Sequence, residues 1–395
     1  MTPLANLSTN RDDPRTLVVI FLRGAADGLT LVAPVEDDNY HKFRPRLAVK
    51  KRDAVRLDGV FGLHPLLRPL EAAWKEGDLV IAHGAGGESD TRSHFEAQDL
   101  MEHGGLAAGG WLARFLRTRG QPDGPLSAVA LGATLPEMLS GAPSAAALSS
   151  IDEFSLRQRF RPKPGESGGE RSKREKQERD EIAALAKFST QLQRLYGAEK
   201  GALRGAATST FDALRRIEAI DATAAPANGA SYDEKDDFAQ GLRQIALLIK
   251  GNLGLDAASI DLGGWDTHCV QLTGIEPLMR RLANGLAAFR QDLGARMATT
   301  SVVVMTEFGR RVAENASFGT DHGRGGAMFV LGGGVKGGRV LGGWPGLKTL
   351  DGPGDLPVWN NYRNVLAPVL LRHGAPEAGL AKIFPDFALN PLALY

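Results

Sequence analysis

Short runs of apolar, often β-branched residues recur along this chain, and each ends in a glycine-rich or polar loop. The first is TLVVIFLRGAADG at 16–28, and similar runs lie at 78–90, 126–133, 257–268, 300–310 and 327–334. Near-continuous apolar runs are typical of strands buried on both faces, as in a parallel sheet. Helical patterns lie between them, at 63–77, 93–104, 110–120 and 274–294. This alternation predicts an α/β sandwich, in which ligands bind outside the carboxyl ends of the strands.

The centre of the chain has a different composition. It lacks β-branched runs, and RSKREKQERDEIAALAKF at 171–188 is charged and favours helix. We interpret this charged run as a solvated helix face. The sequence therefore predicts an α/β core built from 1–150 and 250–395, with a helical insertion or cap at 151–249.

Composition excludes several classes of partner. The chain has 395 residues and a formal net charge of +1, which does not favour nucleic acid or an acidic membrane surface. Its single cysteine, Cys269, rules out an intrachain disulfide.

No apolar run approaches the roughly 20 residues of a membrane span, and no signal peptide is evident. We expect a cytoplasmic protein as written, or an exported one if a signal precedes this sequence; oligomeric state stays open.

Carboxylates and imidazoles gather in or near the predicted strand-end loops. Each alone is more typical of a turn or a helix cap, but together they are the ligand types that divalent ions bind. The last pair lies in a glycine-rich loop, GTDHGRGG at 319–326. We expect one or two ions, Zn or Mn in the first place and Ca or Mg as alternatives. The candidate ligands are Asp27, Asp266, His268, Glu307, Asp321 and His322.

The segment SDTRSHFEAQD at 89–99 opens a predicted helix. Ser93 followed by Glu96 fits a capping box, which is a purely structural role. A helix N-terminus also attracts anions, so a hydroxyl there is a candidate nucleophile on a phosphoryl or sulfuryl centre. The candidate catalytic residues are Ser93 in preference to Thr91, Arg23 and Arg92 as a clamp on the ester oxygens, and His94 beside them.

A second glycine-rich stretch, GGGVKGG at 332–338, does not support nucleotide binding. Its lysine is followed by glycine rather than Ser or Thr, and the stretch does not spell GxGxxG before a helix. We interpret it as a turn after a strand.

Several motifs together resemble the DUF1501 family: FLRGAADGL, RSHFEAQD, GGWDTH, EFGRRVAENASFGTDHGRGGAMFVLGGGVKGG and YRNVLAPVL. The resemblance extends over almost the whole chain. That family is grouped with the alkaline phosphatase superfamily of phosphatases, sulfatases and phosphomutases. The resemblance therefore implies an alkaline-phosphatase-like three-layer sandwich with a mostly parallel central sheet.

The resemblance also implies a division of the ligands between two metals. Asp27, Ser93 or Thr91, and Glu307 match the positions that serve one ion. Asp266, His268 and His322 match those that serve a second. This chain departs from the superfamily where Glu307 is followed by phenylalanine rather than histidine, and where its Asp–His spacing is short. Related chains also often carry an export signal.

The leading hypothesis from the sequence is a metal-dependent hydrolase of phosphate or sulfate esters, acting on a small anionic substrate. One alternative is a phosphomutase-type transfer, in which the enzyme-bound group returns to the substrate. Another is a metal-stabilised binding protein without turnover.

Overall fold

The fold was analysed in a computed structural model that describes residues 14–120, 126–151, 167–198 and 224–395, with a few single positions between 208 and 217. The strands are β1 (Thr16–Leu22), β2 (Val32–Ala33), β3 (Val55–Arg56), β4 (Gly62–Leu63), β5 (Leu79–Gly86), β6 (Ala128–Leu131), β7 (Ala146–Leu148), β8 (Ala257–Leu262), β9 (Thr300–Met305), β10 (Gly326–Gly332), β11 (Arg339–Leu341) and β12 (Asn360–Asn361).

The α-helices of the described residues are α1 (Gly28–Leu31), α2 (Asp38–Phe43), α3 (Glu71–Lys75), α4 (His94–His103), α5 (Trp111–Thr118), α6 (Gly168–Ala198), α7 (Asp237–Lys250), α8 (Gln271–Leu293), α9 (Tyr362–Arg372) and α10 (Leu380–Ile383). None of them is long and apolar enough to cross a membrane.

The central sheet has the strand order β11-β5-β10-β9-β1-β8-β6-β7, and β12 also pairs with β5. Every pairing in it is parallel except those of β10, which is antiparallel to both β5 and β9. A second, small antiparallel sheet has the strand order β2-β4-β3. The α/β architecture with a mostly parallel central sheet agrees with the prediction.

The sheet is the middle layer of three, as β1 shows. All seven of its residues are buried. Val18, Ile20 and Leu22 belong to one apolar cluster, with residues of α7 and α8. Leu17, Val19 and Phe21 belong to another, with residues of α5, α9 and α10. Successive side chains of a strand point to opposite faces, so a strand covered by helices on both sides must be apolar throughout.

The proposed helical insertion at 151–249 overlaps the core at one end. Helix α7 lies within that range, yet Leu242 and Ile245 on α7 are fully buried in the same cluster as Val18. The long helix α6 is largely solvent-exposed where its side chains are described. The described residues of the range form α6, most of α7 and a largely non-helical stretch at 224–236, and none of them lies in a strand. The remaining residues lie outside the described part, so the domain division stays a prediction.

Candidate metal centre

Four segments meet at one edge of the central sheet. Strands β1, β5, β8 and β9 run in the same direction, so the loops that follow them share this edge. Strand β10 runs the opposite way, which brings the residues that precede it to the same edge. His322 therefore arrives from before β10, His94 from the start of α4 after β5, Asp266 from after β8 and Glu307 from after β9.

Glycines allow these segments to approach closely. A Cβ atom at Gly319 would lie 2.2 Å from the carbonyl oxygen of His268. A Cβ atom at Gly323 would lie 2.3 Å from the carbonyl carbon of Arg310. Only glycine fits at such distances. The glycine-rich loop thus holds His322 directly against the segments that carry the other candidate ligands.

Three imidazoles and one carboxylate converge here. The Nε2 atom of His322 lies 3.1 Å from Nε2 of His94 and 2.9 Å from Nε2 of His268. Oδ1 of Asp266 lies 3.1 Å from Nε2 of His322 and 3.0 Å from Nε2 of His268, and Oδ2 lies 3.3 Å from Nε2 of His94. We call His94, Asp266, His268 and His322 the imidazole cluster.

The opposite ring nitrogens fix the tautomers of two of these histidines. Nδ1 of His322 lies 2.9 Å from the carbonyl oxygen of Arg92, which can only accept, so this nitrogen carries the proton. Nδ1 of His94 lies 2.8 Å from Oε1 of Glu307 and donates to it in the same way. Nδ1 of His268 faces Oδ1 of Asp321 at 3.6 Å, beyond hydrogen-bond distance. Neutral His94 and His322 would therefore direct Nε2 lone pairs at each other.

The pKa directions follow from these contacts. Hydrogen bonding to Glu307 raises the pKa of His94, although burial opposes this. Burial lowers the pKa of His322. Burial alone would raise the pKa of Asp266, but its contacts with His322 and with the Arg310 guanidinium bring it well below its usual range. Burial likewise opposes ionisation of Glu307, and hydrogen bonds from His94 and Gln98 lower its pKa. Asp266 and Glu307 thus stay charged beside the ring nitrogens, and this favours a positive charge at the cluster.

The cluster fits a divalent metal ion. One ligand atom from each of His94, Asp266 and His322 lies within 4.8 Å of the others. The two Nε2 atoms are 3.1 Å apart, Oδ1 of Asp266 lies 3.1 Å from that of His322, and Oδ2 lies 3.3 Å from that of His94. These distances are close to the edge of about 3.3 Å of a tetrahedral site with bonds of about 2.05 Å. A carboxylate or carbonyl behind each imidazole is the usual outer contact of a histidine that binds metal. Three protein ligands leave a fourth position for substrate, or for His268.

In the set of Asp27, Ser93 or Thr91, and Glu307 that the resemblance implies, Asp27 has other partners in this structure. Asp27 is buried and caps α1. Its Oδ2 atom accepts from Arg44 at 2.6 Å, from Gln271 at 2.6 Å and from Thr30 at 2.7 Å. Although burial opposes it, the Arg44 guanidinium lowers the pKa of Asp27. Asp27 therefore has a structural role in this structure, because its carboxylate is fully engaged elsewhere.

Glu307 and Asp321 lie behind the histidines rather than among their Nε2 atoms. Oε1 of Glu307 accepts from His94, from Gln98 at 2.9 Å and from the backbone N–H of Gly24 at 2.8 Å. Asp321 accepts from Asn315 at 3.1 Å. Glu307 orients the His94 ring, whereas Asp321 lies 3.6 Å from Nδ1 of His268. His94, which the sequence suggested as a catalytic residue, instead presents its ring to the candidate metal position.

The two arginines expected to clamp an ester are already paired. Arg23 contacts Asp261 at 2.6 Å and Glu102 at 2.7 Å. Arg92 pairs with buried Asp355 and donates to the carbonyl oxygen of His322 at 3.0 Å. Because its own carbonyl accepts from His322, Arg92 holds that histidine from both sides. Both guanidinium groups are thus paired with carboxylates of the protein, which differs from the expected clamp on the ester oxygens.

Arg310 was missed in the sequence. It is buried, and it donates to Asp266 at 2.9 Å and to the carbonyl oxygens of Gly24 and Ala25 at 2.6 and 2.8 Å. It therefore joins the Asp266 loop to the loop after β1. Arg310 follows the candidate ligand Glu307 by three residues in EFGRR, and this closeness in sequence could have indicated that it lies near the site.

The two candidate nucleophiles differ in their contacts. Ser93 is the N-cap of α4, and its exposed hydroxyl accepts from the backbone N–H of Glu96 at 3.4 Å. The Thr91 hydroxyl donates to the carboxylate of Glu96 at 2.6 Å. Only the serine half of the predicted capping box is present, because the Ser93 backbone N–H donates to the Thr91 hydroxyl at 3.3 Å rather than to Glu96.

The fold and the site together define a class: a three-layer α/β protein with a candidate divalent-metal centre at the carboxyl edge of its sheet. The sequence model of the DUF1501 family, described as a protein of unknown function, matches residues 133–373. The chain belongs to this family. None of the curated proteins compared with it matches in sequence.

Among solved structures, the chain is similar to the C-terminal periplasmic domain of EcEptC from Escherichia coli, in complex with Zn. The identity is 11%, and the alignment covers 84% of this chain and 76% of that one. The TM-score is 0.34, which is too low to assign a function.

Proposed function

We propose that this chain is a metal-dependent hydrolase of phosphate or sulfate esters. The observation that carries the proposal is the convergence of the Nε2 atoms of His94 and His322 on the carboxylate of Asp266. Glu307 and the Arg92 carbonyl hold the protons of both rings on the far nitrogens. The carboxylate and the two Nε2 atoms favour a positive charge at their centre, and a divalent ion bound there would supply Lewis acidity toward an ester oxygen.

The residues around the cluster are suited to holding this geometry. Arg310 fixes Asp266, while Arg92 fixes His322. The ring of Phe308 packs on both His94 and His322, with ring centroids 4.9 and 5.0 Å apart. Rigid support of this kind keeps the ligand atoms in place without the ion, so little reorganisation is needed when it binds.

Ser93 is the proposed nucleophile, because it directly precedes His94 at the N-terminus of α4. The backbone N–H groups and the partial positive charge of this ten-residue helix favour an anionic ester there. The Ser93 oxygen forms a bond to phosphorus or sulfur as the ester oxygen leaves with a proton as the alcohol. Water then attacks the enzyme-bound ester, releases phosphate or sulfate, and returns the proton to the serine.

The proposal is tested by metal reconstitution. The protein is stripped with chelator and assayed with aryl phosphate and aryl sulfate monoesters after addition of Zn²⁺, Mn²⁺, Ca²⁺ or Mg²⁺. We expect activity only after one of these ions is added, and its loss in Asp266→Asn. Asp261→Asn removes an exposed carboxylate of strand β8, the strand that Asp266 follows, and as the matched control it should retain activity. Hydrolysis that is equal with and without metal, or none with any ion, contradicts the proposal.

A further inference from the structure

A cavity of about 610 Å³ opens beside the imidazole cluster, and no role described so far accounts for it. It lies between α4, the loop that follows α4, the start of α9 and the C-terminal segment near Phe387. Its volume is within the range of about 300–1,000 Å³ typical of sites for small organic molecules.

The cavity adjoins the proposed reaction centre. Phe308 lines it, and the same ring packs on His94 and His322. Thr91 and Glu96, which lie on either side of Ser93 in the sequence, also line it. A group in this cavity would therefore lie one aromatic ring away from the candidate metal position and next to the N-terminus of α4.

The walls favour an uncharged apolar group. Leu100, Met101, Leu106 and Phe387 are among the lining residues. The one deeply buried cation, Arg363, is already neutralised, because it pairs with Glu88 at 2.7 Å and donates to the carbonyl oxygen of Gly104 at 2.9 Å. Its guanidinium also packs over the Phe387 ring at 4.4 Å. The cavity therefore has little unpaired charge in its interior with which to bind an anion.

Exposed apolar side chains mark the same region. Among the described residues, Leu106 at 94% and Phe95 at 85% are the most exposed large hydrophobic side chains. Leu106 is at the rim of the cavity, and Phe95 follows Ser93 and His94 on α4. Exposed hydrophobic residues beside a pocket are typical of a ligand-binding surface.

We infer that this cavity binds a long apolar organic group, so that the substrate is an amphiphilic monoester such as a long-chain alkyl phosphate or sulfate. The acidic ester lies at the imidazole cluster, and the alkyl chain passes Phe308 into the cavity. The inference rests on the proposed function for the position of the ester, while the cavity itself is tested by binding.

The binding test compares octylphosphonate with methylphosphonate, which are not hydrolysed, by calorimetry on the intact protein with Mn²⁺. We expect octylphosphonate to bind at least about tenfold more tightly, since a hydrophobic pocket discriminates strongly by methylene groups. Ala107→Trp places a large ring in the cavity and should remove most of this difference. Ala108→Trp, at an exposed neighbour that does not line the cavity, should retain it. Equal binding of the two phosphonates, or equal behaviour of the two variants, overturns the inference.

Leu106→Glu is a second test variant. Because the Leu106 side chain is almost fully exposed, the substitution should leave the folded structure intact. We expect it to weaken octylphosphonate binding at least about fivefold while methylphosphonate binding is unchanged. Leu195→Glu on α6, also exposed, is the matched control. If both glutamate variants bind octylphosphonate like the native protein, the apolar rim is not part of a binding site.

Turnover separates this inference from the proposed function. Hydrolysis of octyl phosphate with a higher kcat/KM than methyl phosphate supports both. Hydrolysis of both esters with equal kcat/KM keeps the hydrolase and overturns the apolar cavity site. Chain-length-dependent binding without hydrolysis of any phosphate or sulfate ester keeps the cavity site and contradicts the hydrolase.

Discussion

Glu307 shows how one residue can serve a metal centre without touching the ion. Its carboxylate is buried and accepts the Nδ1 proton of His94, so it fixes the direction of the opposite nitrogen. A carboxylate behind a histidine also makes the imidazole a stronger ligand. The sequence marked Glu307 as a ligand, and its place in the structure suggests a positioning role instead.

Glu307→Gln should therefore weaken the binding of Zn²⁺ or Mn²⁺ by about 10- to 100-fold, because the amide removes the charge that supports His94. A competition titration against a metal-sensitive dye measures this. Glu102→Gln is the control, since Glu102 is equally buried at 3% exposure and lies outside the cluster. Unchanged affinity in Glu307→Gln would contradict the positioning role.

Ser93→Ala separates the nucleophile from the helix cap. If the Ser93 oxygen attacks the ester, kcat should fall by about three orders of magnitude or more, while metal affinity stays the same. A cap alone is worth about 1 kcal/mol of the free energy of unfolding. Thr91→Ala is the comparison, because its hydroxyl is bound to Glu96, and it should retain most of the turnover. Ester hydrolysis that survives Ser93→Ala leaves Ser93 as a cap only.

At the scale of elements, β5 contains a buried histidine that links the main sheet to the small one. His83 accepts from the Gly84 N–H at Nδ1 and donates from Nε2 to the Val32 carbonyl at 3.0 Å. Burial lowers the pKa of His83 to about 4. Both ring nitrogens are engaged only in the neutral form, so protonation in the folded protein is unfavourable.

This pKa predicts an acid-sensitive fold. Because the folded pKa lies below the unfolded value of 6.5, the contribution of His83 is fully present above pH 6.5. It is lost progressively as the pH falls from 6.5 toward 4. In His83→Gln, the slope of the unfolding free energy over this window should be smaller by about 1.4 kcal/mol per pH unit. Denaturant unfolding between pH 8 and 4 measures this, and an unchanged slope would show that another group dominates.

Much of the element order was predictable from apolar periodicity. Strands β1, β5 and β9 are buried throughout and β8 is buried except at Asp261, while α4, α5 and α8 follow the predicted helical patterns. The direction of β10 was not predictable, because a buried strand has the same apolar pattern in either direction. The antiparallel direction of β10 is essential to the site, because it brings His322, which precedes β10, to the edge where the other strands end.

At the scale of the whole molecule, the cluster ties together distant parts of the chain. Its ligand candidates are separated by up to 228 residues, between His94 and His322. Residue type and strand-end position were sufficient to nominate Asp266, His268 and His322. They were insufficient for Asp27, because its pairing with Arg44 and Gln271 depends on tertiary contacts that no local pattern encodes.

A metal that joins these segments should stabilise the whole fold. An ion that binds the folded but not the unfolded chain adds about 2.7 kcal/mol at a free concentration of 100 times Kd. For a chain of this size we expect the thermal midpoint to rise by roughly 3 °C or more, measured by calorimetry with Zn²⁺ or Mn²⁺. Asp266→Asn should lose most of this rise, and Asp261→Asn should keep it. An equal rise in both variants would indicate binding elsewhere.

The most direct test is anomalous diffraction from crystals of the protein grown with Zn²⁺ or Mn²⁺. We expect an anomalous peak between Nε2 of His94, Nε2 of His322 and the carboxylate of Asp266, at roughly 2.0–2.2 Å from each ligand atom. Ordered crystals with full ligand side-chain density and no peak at this position, or with peaks only at other sites, would contradict the metal centre and the hydrolase built on it.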